Sequence, residues 1–414
     1  MKVYSTHNPQ CSKLNVKSKK TFNIRSYYHS IIDSQHSISV FVSFVEYQRV
    51  INLSEVNQHN SEDHEILNSI KLNRILLPVF IGLAVVGYLL YRQFDPEAFK
   101  QISWTKHSLF WLCIAVICLA IRHLAYSYRL YILSDHNFSF RKCIELIFIW
   151  EFSSAVSPTN VGGSAVALFV LAQEKLTAAK TTSIVIYTVV LDVFFYISSL
   201  FIFFLCLGPR MIQANAASMS ELGGLGKTFI VAYVFMAMYG SLFFYGLFFK
   251  PQLVKRFFHA ISKWRIFRRF KESMIKLGDD FIVASKEMYQ KDWKFHVKAF
   301  LATAIAWSSR YLLLSCLIVA LVDAAQYDFA TMFERHARIE TMFVIMAFSP
   351  TPGGSGIAEL VFGTFLSDYV PQGISVIIAF IWRLLTYYSY LIIGAIVIPN
   401  WIRNLINKRK KDRL

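Results

Sequence analysis

The sequence predicts an all-α, polytopic membrane protein with two inverted repeats, about six full transmembrane helices and two re-entrant helical hairpins. Composition gives the first indication: the 414 residues are 55% hydrophobic and only 17% charged, against roughly 25% charged residues in soluble domains. Apolar runs long enough to cross a bilayer recur along the chain, and its mean hydropathy is +0.43. The stretch "SPTNVGGSA" at 157–165 is echoed by "SPTPGGSG" at 349–356, each time inside an apolar region.

The elements follow in an order that divides the chain in two. Residues 1–70 are polar and irregular, which predicts a weakly ordered cytoplasmic extension. Residues 71–400 form the predicted transmembrane domain, with repeat one at about 75–207 and repeat two at about 228–398; a basic tail, 401–414, follows. The predicted spans are 75–91, 109–128, 181–207, 228–249, 299–321 and 373–398. The apolar regions 143–173 and 339–369 are each interrupted by one of the quoted motifs.

These interruptions predict the re-entrant hairpins. Each arm has about 10–15 residues, roughly 15–22 Å of helix, whereas a bilayer core is about 30 Å thick. Both arms are therefore expected to enter and leave on the same side, with prolines ending the entering helices and glycines permitting positive φ and close backbone approach. The residues assigned to these turns are Pro158, Gly162, Gly163, Pro350, Pro352, Gly353, Gly354 and Gly356.

The charge distribution predicts the orientation. The net charge is +17, and residues 250–298 carry 13 Lys/Arg against 5 Asp/Glu. Basic loops next to apolar spans are typical of the cytoplasmic side, so both termini are expected inside, in the plasma membrane. We expect segment 250–298 to contact anionic lipid headgroups rather than nucleic acid, because no aromatic platform or groove-reading module is evident. Oligomerisation remains open.

Inverted repeats with broken helices are typical of secondary transporters, which bind their substrates near the membrane midplane. Half-helix N-termini there suit an anionic headgroup. Arg383, near the middle of the last span, is the first candidate to contact a substrate phosphate. The alternative is an ion pair of Arg383 with Asp192 or Glu359 that only stabilises the bundle.

Further charged residues inside apolar regions are candidates because such charges are costly. Arg122 and Arg310 lie at similar depths in the two halves; either could contact substrate or extend to the membrane surface. Glu359 could bind a proton or substrate, or could interact with a helix N-terminus. Glu151 and Glu340 precede the motifs, and buried pairing is as reasonable for them as transport chemistry. Asp192 has no polar neighbour in sequence, so its partner must be tertiary.

Enzymatic motifs are not apparent. The sequence has no zinc-ligand spacing, P-loop or GxSxG motif, so no catalytic residue, metal or cofactor is predicted. Two alternatives to a transporter remain: a membrane enzyme or enzyme subunit acting on a lipid-phosphate headgroup, and a scaffold that recruits a partner through segment 250–298.

The motifs resemble those of the lysylphosphatidylglycerol synthase transmembrane, or flippase-like, family over about residues 75–400. "SPTPGGSGIAELVFGTFL" followed by "IAFIWRLLTYYSYLIIG" resembles its hallmark, which maps to Thr351, Pro352, Gly353, Gly354, Gly356, Glu359, Arg383 and Gly394. "SPTNVGGSAVALFVLAQEKLTAAKTT" looks like its first-half motif. The resemblance implies a protein that moves a phospholipid or a lipid-linked anionic precursor between leaflets without synthesising it.

Overall fold

The computed structural model describes residues 104–156, 160–174, 176–213, 216, 218–264, 271–322, 325–347, 361–362 and 365–411. The N-terminal extension, the predicted span 75–91 and most of the second Pro/Gly motif lie outside these residues.

The described chain is helical. Its helices are α1 (Lys106–Leu133), α2 (Phe140–Val156), α3 (Asn160–Gln173), α4 (Ala178–Leu207), α5 (Gly224–Phe248), α6 (Pro251–Ser262), α7 (Lys271–Tyr289), α8 (Trp293–Leu321), α9 (Phe329–Ala347), α10 (Gln372–Arg383) and α11 (Ser389–Lys411). One π-helical turn, Leu384–Tyr388, joins α10 to α11. The all-α fold class is thereby confirmed.

Five helices are long and apolar enough to cross a bilayer. They correspond to α1, α4 with the following turn, most of α5, α8, and the continuous helix Ile377–Leu405. These are the five predicted spans that fall within the described residues. The outward face of α1 shows why they suit lipid: Leu109, Val116, Ile117 and Leu124 are all exposed. They recur after seven or eight residues, about two helical turns, which places them along one stripe. The opposite face of α1 carries the buried arginines described below.

Helix α2 and helix α3 form a hairpin. Lys142, near the start of α2, contacts Glu174, just after α3, with 2.7 Å between Nζ and Oε1. The start of α2 and the end of α3 therefore lie side by side; the residues between the two helices, 157–159, lie outside the described residues. Helix α3 already begins at Asn160, so Gly162 and Gly163 lie within its first turn. The assignment of these two glycines to the turn was wrong, because both lie inside the helix.

The two sides of the second interrupted region also lie close together. Arg338, in α9, contacts Asp368 beyond the motif, with 2.5 Å between Nη1 and Oδ2. Arg335 stacks over the ring of Tyr369 at 4.9 Å. The entering helices α2 and α9, with 17 and 19 residues, are longer than the 10–15 residues predicted, because each extends beyond its apolar stretch at the N-terminal end. Re-entry into a membrane stays a prediction.

Contacts between the halves hold the bundle together. Helices α1 and α8, which occupy equivalent places in the two predicted repeats, pack along each other more extensively than any other helix pair described. Helix α4 packs against α9, and α11 packs against α2, so each span after a hairpin contacts the hairpin of the other half. At Gly394 in α11, an added Cβ would lie 2.5 Å from Cβ of Phe152 in α2.

Ion pairs connect the links that lie next to α6 and α7. Asp135, after α1, accepts hydrogen bonds from Lys180 at the start of α4 and Lys291 just before α8; Lys180 also pairs with Glu287 of α7. Partial burial acts to raise the pKa of Asp135, but the bonds from both lysines outweigh it and hold that pKa below its usual value. These basic links therefore share one end of the molecule.

Candidate functional site

A buried ion pair joins α1 to the first hairpin. Nη2 of Arg122 lies 2.7 Å from Oε1 of Glu151 in α2, and the Arg122 side chain is 2% exposed. Its Nη1 donates to Oη of Tyr390 in α11 at 2.9 Å. The guanidinium also lies over the rings of Tyr126 and Tyr390 at 5.0 and 5.2 Å. Arg122 is thus held inside the protein and does not extend to the membrane surface.

A second ion pair lies about two helical turns further along the same face of α1. Arg129 contacts Asp192 of α4 at 2.5 Å, and Trp307 of α8 donates to the same carboxylate oxygen at 2.9 Å. Arg129 also donates to Thr303 at 3.1 Å. The prediction that Asp192 has a tertiary partner is confirmed, and that partner is Arg129. The sequence interpretation overlooked Arg129, although its spacing of seven residues from Arg122 places both on one helix face.

Arg310, the counterpart of Arg122 on α8, has a different environment. Its guanidinium lies over the faces of Trp307 and Phe343 at 5.4 and 4.8 Å. The side chain is half-buried, and its buried Nε donates to no acceptor in the part of the chain that the structure describes. Among those same residues no carboxylate forms an ion pair with it.

Glu340, the glutamate that precedes the second motif on α9, forms no ion pair with an arginine among the described residues. The residue is 0% exposed, and Ser199 of α4 donates to its Oε1. Its Oε2 is buried and has no hydrogen-bond partner among the described residues. Among the described residues, Arg122 and Glu151 therefore form an ion pair, whereas Arg310 and Glu340 do not pair with each other.

Arg383 ends α10 and is 5% exposed. The π-helical turn follows it directly, and such turns frequently occur at functional sites. Tyr387 in this turn donates to the carbonyl of Ala155, at 3.0 Å, two residues before the first motif. Arg383 therefore stands next to residues that reach the tip of the first hairpin.

The structure brings together only some of the predicted site residues. Arg122, Asp192, Arg310 and Arg383 all lie in the packed helices of the two halves, and Trp307 packs against the apolar cores of both. Glu359 and the motif residues Pro158, Pro350, Pro352, Gly353, Gly354 and Gly356 lie outside the described residues. Arg335 and Arg338, which fasten the second hairpin, were not identified from the sequence.

The arrangement is suited to holding an anion. In the described part of this cluster, four arginines (Arg122, Arg129, Arg310 and Arg383) are accompanied by three carboxyl groups (Glu151, Asp192 and Glu340). Two of the arginines have carboxylate partners within 2.7 Å. No group of three His, Cys, Asp or Glu side chains gathers among the described residues as metal ligands would.

Comparison with known proteins agrees with this architecture. The family model described as "Lysylphosphatidylglycerol synthase TM region" matches residues 75–394. The chain is similar to a protein of Archaeoglobus fulgidus named "UPF0104 membrane protein", with 22% identity over 345 residues, which cover 78% of this chain and 95% of the relative. No solved structure matches.

The family match covers far more than half of the chain and includes both motif regions and the spans that carry the buried arginines. It agrees with the apolar helices of the structure, so the protein is an integral membrane protein. The chain belongs to the family of the lysylphosphatidylglycerol synthase transmembrane region.

Proposed function

We propose that this protein is a flippase-like transporter that moves a phospholipid or a lipid-linked anionic precursor between membrane leaflets. The observation that carries the proposal is the arginine-rich cluster buried between the two halves of the bundle. Charged groups at such depth are costly, and in membrane proteins they generally mark substrate pathways. Family membership supports a role connected with lipid.

In this proposal the two hairpins meet near the midplane and the substrate headgroup passes between them. Arg383 contacts the phosphate, because a planar guanidinium donates in pairs to phosphate oxygens. Glu359 tunes the charge or protonation of the site, and the motif glycines, Gly353, Gly354 and Gly356, allow the headgroup to approach the backbone. The acyl chains remain in lipid throughout, so only the headgroup requires a polar path.

The cytoplasmic end offers a second lipid contact, for which segment 250–298 is proposed. Trp264 and Trp293 are 62% and 69% exposed, and they stand among the lysines and arginines of this segment. Exposed tryptophans beside basic residues are typical of a membrane interface, where the rings lie at headgroup depth and the cations attract anionic lipid. This supports a plasma-membrane protein with both termini inside.

Leaflet translocation in proteoliposomes tests the proposal. Purified full-length protein would be reconstituted with fluorescent phosphatidylglycerol, phosphatidylethanolamine or phosphatidylcholine, and dithionite would quench the outer leaflet. We expect the wild type to make more than half of one labelled lipid accessible, and Arg383→Ala to reduce the rate at least tenfold.

Arg141→Ala is the matched control, since it also removes one arginine but from an exposed position at the start of α2. It should transport as the wild type does. If folded wild-type protein moves none of the three lipids, the proposed function is wrong. If Arg383→Ala transports at the wild-type rate, the proposed role of Arg383 is wrong.

A further inference from the structure

The buried charged residues of the two halves have different partners. In the first half Arg122 and Glu151 form a direct ion pair. In the second half Glu340 is fully buried and accepts from Ser199, while Arg310 lies over two aromatic rings. Among the described residues, Arg122 therefore has a carboxylate partner and Arg310 has none.

An acceptor is missing around Arg310. Nε of Arg310 is buried without a hydrogen-bond partner in the described structure, and so is Nε1 of Trp382 in α10. Both side chains pack against the same ring: Cζ of Arg310 lies 4.8 Å from the centre of Phe343, and the indole of Trp382 lies 5.6 Å from it, edge to face. Two donors that share a neighbour and lack acceptors point to a ligand that supplies oxygens, because buried polar groups are almost always satisfied.

The aromatic neighbours of Arg310 supply no hydrogen-bond acceptor in the plane of its guanidinium. Cζ of Arg310 lies over the ring faces of Trp307 and Phe343, where cation–π attraction holds the side chain in place. The N–H groups point outward in the plane of the guanidinium, so the free edge suits a multidentate oxygen anion. A phosphate group fits this requirement, since its several oxygens can accept from the guanidinium and the indole together.

We propose that Arg310, held between Trp307 and Phe343 and assisted by the indole N–H of Trp382, binds the phosphate group of an anionic lipid headgroup. This inference rests on the proposed function for its choice of a lipid, but the binding site itself does not depend on transport. Glu340 forms no ion pair with Arg310 among the described residues, and its Oε1 accepts from Ser199. Arg310 thus acts as the anion contact of the second half.

Ligand-induced thermal stabilisation of the full-length protein in detergent tests the site. The probes would be dihexanoyl-phosphatidylglycerol, inorganic phosphate at matched ionic strength, and dihexanoylglycerol, which lacks phosphate. A ligand that binds only the folded state raises Tm as its concentration exceeds Kd. We expect phosphatidylglycerol to raise Tm and dihexanoylglycerol not to do so. Stabilisation by inorganic phosphate alone would reassign the ligand to a free anion and overturn the lipid assignment.

Three variants locate the effect. Arg310→Gln should weaken phosphatidylglycerol binding at least tenfold, while the Tm without ligand stays at or above the wild-type value, because the change removes a cation without a carboxylate partner. Trp382→Phe keeps a ring but removes the N–H and should weaken binding several-fold. Arg141→Gln, an equal loss of charge at an exposed position, should bind as the wild type does.

The outcomes separate this site from the proposed function. If Arg310→Gln and Trp382→Phe both bind as tightly as the wild type, or if the wild type binds no phosphate ligand, the site is wrong. Should Arg310→Gln fail to fold, Trp382→Phe alone decides between these results. Wild-type protein that binds phosphatidylglycerol through Arg310 but does not move it in vesicles would refute transport and leave the site standing.

Discussion

At the scale of single residues, Arg122 and Arg310 illustrate two uses of a buried arginine. Arg122 satisfies Glu151 and Tyr390, so its charge is compensated within the protein and its effect is structural. Arg310 has aromatic contacts and, within the described chain, no carboxylate. Replacing each arginine by glutamine should therefore shift stability in different directions.

Arg122→Gln is expected to destabilise the protein by about 3 kcal/mol, because it leaves Glu151 without its cation in a mostly buried position. Unfolding in mixed micelles, followed by circular dichroism, would measure the loss. Changing both members, Arg122→Met with Glu151→Leu, should recover much of it, since neither charge then remains. Equal stability of Arg122→Gln and wild type would contradict the assignment of a structural ion pair.

The sequence identified most of these charged residues, but not how they pair. Mid-span charges stand out against an apolar background, which is why Arg122, Arg310, Arg383 and Asp192 could be named. Pairing depends on the relative rotation of helices distant in sequence. Arg383 was considered as a partner of Asp192, whereas Arg129 occupies that carboxylate, and nothing in the local pattern distinguishes these two arginines.

At the scale of helices, close packing between α11 and the first hairpin depends on Gly394. A methyl group there would lie 2.5 Å from Cβ and Cδ2 of Phe152, far inside van der Waals contact. A Gly-to-Ala change within a helix is otherwise favourable by about 0.5–1 kcal/mol. Packing and helix propensity therefore predict changes in stability of opposite sign for Gly394→Ala.

We expect Gly394→Ala to destabilise the protein by about 1–3 kcal/mol, the usual range for overpacking, because Cβ of Phe152 cannot turn away. Gly240→Ala in α5 is the matched control. Its added methyl group would contact Cγ1 of Val193 and Cδ1 of Ile197, which are movable ends of side chains. The loss of stability in Gly240→Ala should therefore be smaller. Thermal unfolding of both variants checks the order. A Gly394→Ala variant more stable than wild type would refute close packing here.

Helix boundaries show where a regular pattern misleads. A period of 3.6 residues predicts that Tyr387 and Tyr390 follow Arg383 down one side of the last span. The π-helical turn Leu384–Tyr388 changes that register, and the two tyrosines reach separate partners, the carbonyl of Ala155 and the side chain of Arg122. A local widening of this kind is determined by tertiary contacts and has no signature in the hydropathy pattern.

At the scale of the whole molecule, the bundle has two chemically distinct ends. At one end, Asp135 binds Lys180 and Lys291, which gathers the link after α1, the start of α4 and the start of α8. At the other end, Arg338 of α9 donates to the carbonyl of Arg210 after α4, at 3.1 Å. The first end adjoins the basic segment 250–298, so the positive-inside rule predicts that this end faces the cytoplasm.

Cysteine accessibility tests this orientation. In a background without the six native cysteines, Lys263→Cys would report on the basic segment and Ser220→Cys on the opposite link; both positions are exposed. A membrane-impermeant maleimide should label Ser220→Cys in intact cells and Lys263→Cys only after permeabilisation. The opposite pattern would invert the molecule. In the predicted inverted-repeat arrangement one hairpin is exposed to each side. Inversion would then exchange the faces from which Arg122 and Arg310 are reached, so the experiment also tests which leaflet lies nearer to the proposed phosphate site.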